Sequence, residues 1–482
     1  MNREFFINIV FLVSINLLIK PFFIFGIDRT VQNTVGAETY GIYFALLNFT
    51  YLLQIFNDFG INGFNSRNIS QHNQLLDKYF PNIIIVKGLL GIIYLIVTFI
   101  IAWFSGYGIY FHLLFFIAIN QLLVSLIFYL RSNISGLAMY RVDSFLSALD
   151  KLLMIIICSV LLWVHPFSEN FKIEYFIYAQ TVSLSLTAMF AFFIINRHLK
   201  KLTFRFKTAF IKLIFKESYP YALVVFLMTA YTRIDGVMIE RMLPDGRLEA
   251  GIYASAFRLL DASNMLAFLF AGLLLPMFSK LIKERTSVGS LLQFSFQMIW
   301  AGSITLVAAT YFYSNDIMIF LYKDATFYWG NVLRYLMISF IALSGIQVYG
   351  TLLTANGSLM KMNVIFVIGV LINVILNYFF IQYFKAEGAA MATVITQFFV
   401  LIAQIRLTNT TFKLKADYSA VLRIFGFIIT VITTSWMVAF YSSFDWKINF
   451  LSTLILGLSC ALIFKLIDIK VIRSLLVADR KM

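Results

Sequence analysis

Apolar residues along this chain collect in long runs that do not alternate with polar ones. The stretch LLGIIYLIVTFIIAWF at 89–104 is apolar on every side of a helix, where a strand of a membrane barrel would alternate. Runs of about 20 such residues, bounded by charges or turn residues, recur about fourteen times. The first two fall at 5–27 and 40–62, the eleventh and twelfth at 361–383 and 388–408, and the last two at 418–441 and 447–467. The pattern predicts an all-α polytopic membrane protein of about 14 transmembrane helices, with no stretch left over for a sizeable domain outside the bilayer. Alternate connections carry 25 Lys and Arg on the side of the amino terminus and seven on the other. By the positive-inside rule both termini are expected in the cytoplasm.

Two echoes organise the runs. GIYFALLNFTYLLQIFNDFG at 41–60 returns as GIYASAFRLLDASNMLAFLF at 251–270, an offset of 210, and SGLAMYRVD at 135–143 returns as NGSLMKMNV at 356–364, an offset of 221. Matching positions in two sets of six spans predict parallel repeats. The expected division is an N-terminal lobe at 1–195 (spans one to six), a basic cytoplasmic linker at 196–216, a C-terminal lobe at 217–410 (spans seven to twelve), and an extra helix pair with a cytoplasmic tail at 411–482. In such an architecture the substrate path runs between the lobes and access alternates as one rocks against the other, so a monomer is the expected functional unit. The linker has seven basic residues interleaved with Phe and Ile, and is expected to lie against anionic lipid headgroups.

Composition narrows the function. Hydrophobic residues make up 61% and charged residues 13%, against about 25% charged in soluble domains. The net charge of +15 is spread over many short cytoplasmic connections, so it calls for no nucleic-acid partner. Cys158 and Cys460 lie in separate apolar runs with no CxxC nearby, and read as core residues without a metal site. There is no GxxxxGK[ST] loop for ATP, no HExxH and no nucleophile elbow, so the chain is expected to be a transport protein, not an enzyme, and to need no cofactor. The amino-terminal run is too long for a signal sequence and lacks a cleavage site, and it reads as the first span.

The remaining chemistry is polar residues inside spans. Residues 217–261 carry Arg233, Asp235, Arg258 and Asp261 within or beside apolar stretches. Each charge near a bilayer centre costs roughly 2.5–3.5 kcal/mol on insertion scales, so such residues are functional candidates. Arg258 and Asp261, three apart, share a helix face; Arg233 and Asp235, two apart, do not. Lys20 precedes Pro21, beside an expected kink. Arg334 lies near the outer end of span ten, at the interface or lining an outer vestibule. Gln54, Asp58 and Asn62 recur every four residues as one polar stripe of span two. Similar stripes are Ser344, Gln347, Thr351 and Thr354; Gly369, Asn373 and Asn377; and Thr393 and Gln397, each of which also suits interhelical hydrogen bonding. Lys87 and Lys465 read as snorkelling residues. The candidate cavity cations are therefore Lys20, Arg233, Arg258 and Arg334, and the candidate ion-coupling or pairing acids Asp58, Asp235 and Asp261. Arginine's planar fork suits phosphate or carboxylate, which favours an anionic cargo.

Several segments resemble a known family. GAETYGIYFALLNF at 36–49, YTRIDGVMI at 231–239, GIYASAFRLLDA at 251–262, ANGSLMKMNV at 355–364 and EGAAMATVITQ at 387–397 are similar to the polysaccharide-exporter branch of the multidrug/oligosaccharidyl-lipid/polysaccharide (MOP) flippase superfamily, which includes the Wzx-type O-antigen flippases. The resemblance implies two six-helix lobes in a MATE-like arrangement plus a C-terminal pair. It further implies a multi-pass protein of the bacterial cytoplasmic membrane that moves an undecaprenyl-pyrophosphate-linked oligosaccharide between leaflets, with H+ or Na+ as the implied coupling ion. Arg233 and Arg258, with Lys20 and Arg334, would attract the pyrophosphate or acidic sugars, and Asp58, Asp235 and Asp261 would pair with them or couple to the ion. The alternatives are a drug or cation antiporter of the same superfamily, for which span one offers Lys20 in place of an acid, a lipid II flippase, and a glycan polymerase or ligase, for which no periplasmic catalytic loop is found.

Overall fold

The computed structural model describes residues 14–62, 65, 76–137, 139–165, 167–199, 208–414 and 417–467. Its described residues are helices and their connections, with no strand. Residues 200–207, in the middle of the expected headgroup-binding linker, and the tail from 468 lie outside the described residues.

The first helix, α1, runs over 14–35 and contains a π-helical turn at Phe23–Asp28, immediately after Pro21. Pro21 cannot donate to the helix ladder, and the widened turn relieves the defect where a kink was expected. Span two is α2 (Ala37–Leu52) and a short α3 (Ile55–Asp58). The other helices are α4 (Leu76–Phe104), α5 (Phe111–Gly136), α6 (Tyr140–Trp163), α7 (Ile173–Asn196), α8 (Thr208–Met242), α9 (Gly246–Lys283), α10 (Gly289–Leu321), α11 (Phe327–Ala355), α12 (Leu359–Phe412), α13 (Tyr418–Tyr441) and α14 (Trp446–Ile463). Eleven of them, α4 to α14, are long and apolar enough to cross a membrane.

The 54 residues of α12 would extend about 80 Å as one straight helix, far more than one bilayer. They are two passes. Lys385 leaves helical geometry (φ 52°, ψ −131°), and a Cβ placed on Gly369 would stand 3.1 Å from Val400, 31 positions further on. The element is an antiparallel hairpin, matching the spans expected at 361–383 and 388–408.

The chain forms two compact units, 1–241 and 242–482. In the first, Phe80 stacks on Tyr129 (5.8 Å) amid Ile83, Val86, Leu130, Leu146 and Ile195. Helix α8 packs into this unit through glycines that let backbones approach. A Cβ on Gly236 would lie 2.5 Å from Asn48 Nδ2 and 2.7 Å from Phe44, and one on Gly60 would lie 2.5 Å from the Ser218 carbonyl. In the second unit, Leu274, Phe278, Leu292, Val348 and Leu352 join α9, α10 and α11. The α13–α14 pair docks on α10 through Ala301, Ile304, Ala308, Phe427, Val431 and Ala461. Large apolar side chains such as Ile96 (54% exposed) and Leu422 (70% exposed) face outward, as a lipid-facing surface requires.

Candidate functional site

In the first unit, α1 brings a lysine into a cluster of charges on α5 and α6. The charged groups that act on Lys20 are Asp150, Lys151 and Arg131. Asn16 donates to Ser147 Oγ at 2.8 Å, which ties α1 to α6 one turn below Lys20. The Lys151 ammonium lies 4.9 Å from the Phe23 ring and 3.2 Å from Asp150, while Arg131 pairs with Asp143 at 2.7 Å.

Further along α1, Asp28 is 2% exposed at the end of the π-helical turn. The Tyr40 hydroxyl, itself fully buried, lies 2.9 Å from each of its carboxylate oxygens and donates to it.

The polar stripe expected of span two is not a regular helical face. The chain leaves the helix at Leu53, turns once through Ile55–Asp58 and becomes left-handed at Phe59 and Gly60. Asp58 instead pairs with Lys87 at 2.6 Å, and Lys87 also donates to Ser125 Oγ at 2.8 Å. Lys87 is 7% exposed and lies 5.8 Å from the Tyr129 ring centre. It is not a snorkelling residue, because the break in span two lays an acid directly against it.

On the uninterrupted α8, Arg233 is half-buried with its guanidinium 5.2 Å from the Tyr51 ring, and Asp235 is 1% exposed. In the second unit Arg258 and Asp261 are half-buried on α9. Arg334 lies on α11. Its guanidinium lies 4.9 Å from the Tyr311 ring, with Nε donating to the Tyr311 carbonyl (3.2 Å) and Nη1 to Asn331 (3.3 Å).

Of the stripes in the second unit, Ser344 donates to Ser303 across α11 and α10 at 3.0 Å, and Asn377 donates to Asn373 at 3.1 Å on α12. Asn373, Asn377, Thr393 and Gln397 are all buried.

Residues 8–282, more than half of the 482, match the family described as polysaccharide biosynthesis protein. The chain belongs to the polysaccharide biosynthesis protein family. The matched region contains Lys20, Asp58, Arg233, Asp235, Arg258 and Asp261, and ends before Arg334. No curated protein matches the chain in sequence. Among solved structures, the lipid II flippase MurJ in an inward closed conformation superposes with a TM-score of 0.73 at 15% identity, over 98% of this chain and 100% of that one. A multidrug resistance MATE family transporter of the MOP superfamily, inward-facing, gives 0.60 at 13% identity over 84% and 98%. A MOP superfamily transporter from Pyrococcus furiosus gives 0.56 at 13% over 84% and 94%. These likenesses establish that this polysaccharide biosynthesis family member has the MOP flippase fold.

Sequence reasoning missed two groups. Asp28 was hidden because the first span appeared to end at residue 27, and an Asp-Arg pair after an apolar run looks interfacial. Its signal was Tyr40, an aromatic hydroxyl twelve residues on. At the Lys385 turn, Lys385 pairs with Asp245 (2.5 Å) and Glu249 (3.4 Å), and the 4%-exposed Glu249 also accepts from Tyr328 (2.7 Å) and the Ala386 N–H (3.3 Å). Nothing in the local sequence links residues about 140 positions apart.

Proposed function

We propose that this protein is a flippase of the bacterial cytoplasmic membrane. It carries an oligosaccharide linked to undecaprenyl pyrophosphate from the inner to the outer leaflet by alternating access, driven by an ion gradient. The observation that carries the reading is the set of cations held half-buried in apolar spans of a polysaccharide biosynthesis family member. Lys20 and Lys151 lie beside the π-helical turn of α1, Arg233 on α8 and Arg258 on α9. A pyrophosphate needs such donors, because a charged group removed from water is tolerated only when it is paired and hydrogen-bonded. In this reading Lys20, Arg233 and Arg258 receive the pyrophosphate while the lipid tail stays in the bilayer. Asp235 and Asp261 set the orientation of neighbouring groups or take part in ion coupling. Asp58 is committed to Lys87. The division into lobes at 1–195 and 217–410, with a pair at 411–482 and both termini in the cytoplasm, is part of the same proposal, as is function as a monomer.

The test is the pool of undecaprenyl-linked intermediates in a strain lacking the gene, with and without a plasmid copy. A complete lipid-linked oligosaccharide accumulates on the cytoplasmic face and disappears with the plasmid; an unchanged pool rejects the reading.

One observation favours a second reading, a cation or drug antiporter. Span one contains a buried acid after all, Asp28, in a widened helical turn with a tyrosine hydroxyl upon it, and a buried carboxyl can bind a proton or a cation. Resistance to cationic dyes that depends on Asp28, with no change in lipid intermediates, would select it.

A further inference from the structure

Between the ends of α10, α11, α13 and α14 the second unit encloses a cleft of about 480 Å³, inside the roughly 300–1,000 Å³ of small-molecule sites. Helix α10 bends at Tyr313, where φ is −111° and ψ is 17°. Two residues before the bend, the Tyr311 carbonyl accepts from Arg334 Nε and Ser314 Oγ. Arg334 is thereby fixed with part of its fork unused, since a guanidinium has five N–H donors. The opposite wall is pinned as well. Asn449, 5% exposed, accepts from Ser442 Oγ (2.6 Å) and donates to the Phe444 carbonyl (3.0 Å), which holds the short α13–α14 connection against the start of α14.

Two kinds of group line this frame. Tyr311 is 41% and Phe444 68% exposed, and Trp446 packs edge-on against Phe320 at 5.7 Å. The charged residues of the lining are Arg334 and Asp316, which is exposed and makes no ion pair among the described residues, and at the edge Lys447 lies 5.8 Å from the Trp446 ring. A girdle of interfacial aromatics would account for the rings alone. It would not account for a hydrogen-bonded wall on each side, nor for a donor fork and an acceptor carboxylate lining one cleft. An anionic lipid headgroup would meet Arg334 favourably but Asp316 unfavourably. A neutral polyhydroxyl ligand uses both, with vicinal hydroxyls donating to the carboxylate and accepting from the guanidinium while the C–H face of a sugar ring lies on an aromatic side chain.

We infer that this cleft is a saccharide-binding site, separate from the cations that would hold the pyrophosphate, and that on the orientation dictated by the basic residues it opens on the outer face. The occupant is the sugar portion of the cargo, so the biological role rests on the flippase reading; the binding itself does not.

The test uses the full chain in lipid nanodiscs and, as probe, the tail-free oligosaccharide released by mild acid from the host's lipid-linked pool. Saturation-transfer NMR and tryptophan fluorescence follow binding. Saturable binding is expected, weakened roughly tenfold by Asp316→Ala and by Tyr311→Ala, at an unchanged unfolding temperature. Trp446→Phe abolishes the fluorescence change and keeps the NMR signal. The inference is overturned if the wild type binds no oligosaccharide, if these substitutions leave binding unaltered, or if their effect is instead to release a co-purified phospholipid. A deletion strain with an unchanged lipid pool, combined with intact oligosaccharide binding, would reject the flippase reading and leave the cleft standing; normal flipping without binding does the reverse.

Discussion

At the scale of single residues, position in the bilayer decides what a charge can do. Arg233 and Arg258 are half-buried in spans, where a guanidinium is costly unless something uses it. Arg233→Ala and Arg258→Ala are expected to lower glycan export at least tenfold, the equivalent of one lost charge-assisted hydrogen bond, with membrane insertion intact. Export assayed by surface glycan blots and insertion by membrane fractionation check this; normal export by both variants removes them from the cargo path. The charge of Lys87 is held by Asp58 and Ser125. Lys87→Met leaves that carboxylate unpaired and is expected to cost about 3 kcal/mol, toward the low end because the Asp58 side chain is 20% exposed. Lys87→Met with Asp58→Leu should recover much of the loss. Thermal unfolding in detergent measures both, and equal losses in the single and double variants would show that the pair contributes little.

At the scale of elements, backbone contacts and caps take over. Gly60 combines a φ of 75° with backbone of α8 where its side chain would be. Gly60→Ala should therefore destabilise by about 1–3 kcal/mol, visible as reduced folded yield in size-exclusion profiles; an unaltered profile would mean that α8 can shift away. Asp417 caps α13, accepting from the Ser419 and Ala420 N–H groups. The Gln293 amide and these N–H groups hold its carboxyl below the ordinary value near 4. A depressed folded-state pKa adds stability above the unfolded pKa, and that stability is lost as pH falls through the folded one. Asp417→Ala should lower the unfolding temperature at neutral pH, and the gap to wild type should close below the usual carboxylate range. A gap independent of pH would assign the effect to the lost cap geometry alone.

At the scale of the whole molecule, the excess of 25 over seven basic residues in alternate connections predicts orientation. Alkaline phosphatase fused after Ser443 should be active in the periplasm, and fused after Arg285 inactive; the reverse pattern would invert the protein and move the Arg334 cleft to the cytoplasmic side.

Long apolar runs by themselves determined the all-α polytopic class of this protein and its lipid-facing surface, because in hydrocarbon a backbone has almost no alternative to the helix. Even the reversal inside α12 was legible, since the charged KAEG at 385–388 interrupts two spans. What only the tertiary structure decided were the pairings across elements. Asp58 meets Lys87 where span two breaks after Leu52, Asp28 is buried with Tyr40 folded back upon it, and Arg334 lines a cleft together with residues of α10, α13 and α14. Periodicity describes a regular helix and is silent where the helix breaks, and partners about 12 to 140 residues apart leave no mark on either local sequence.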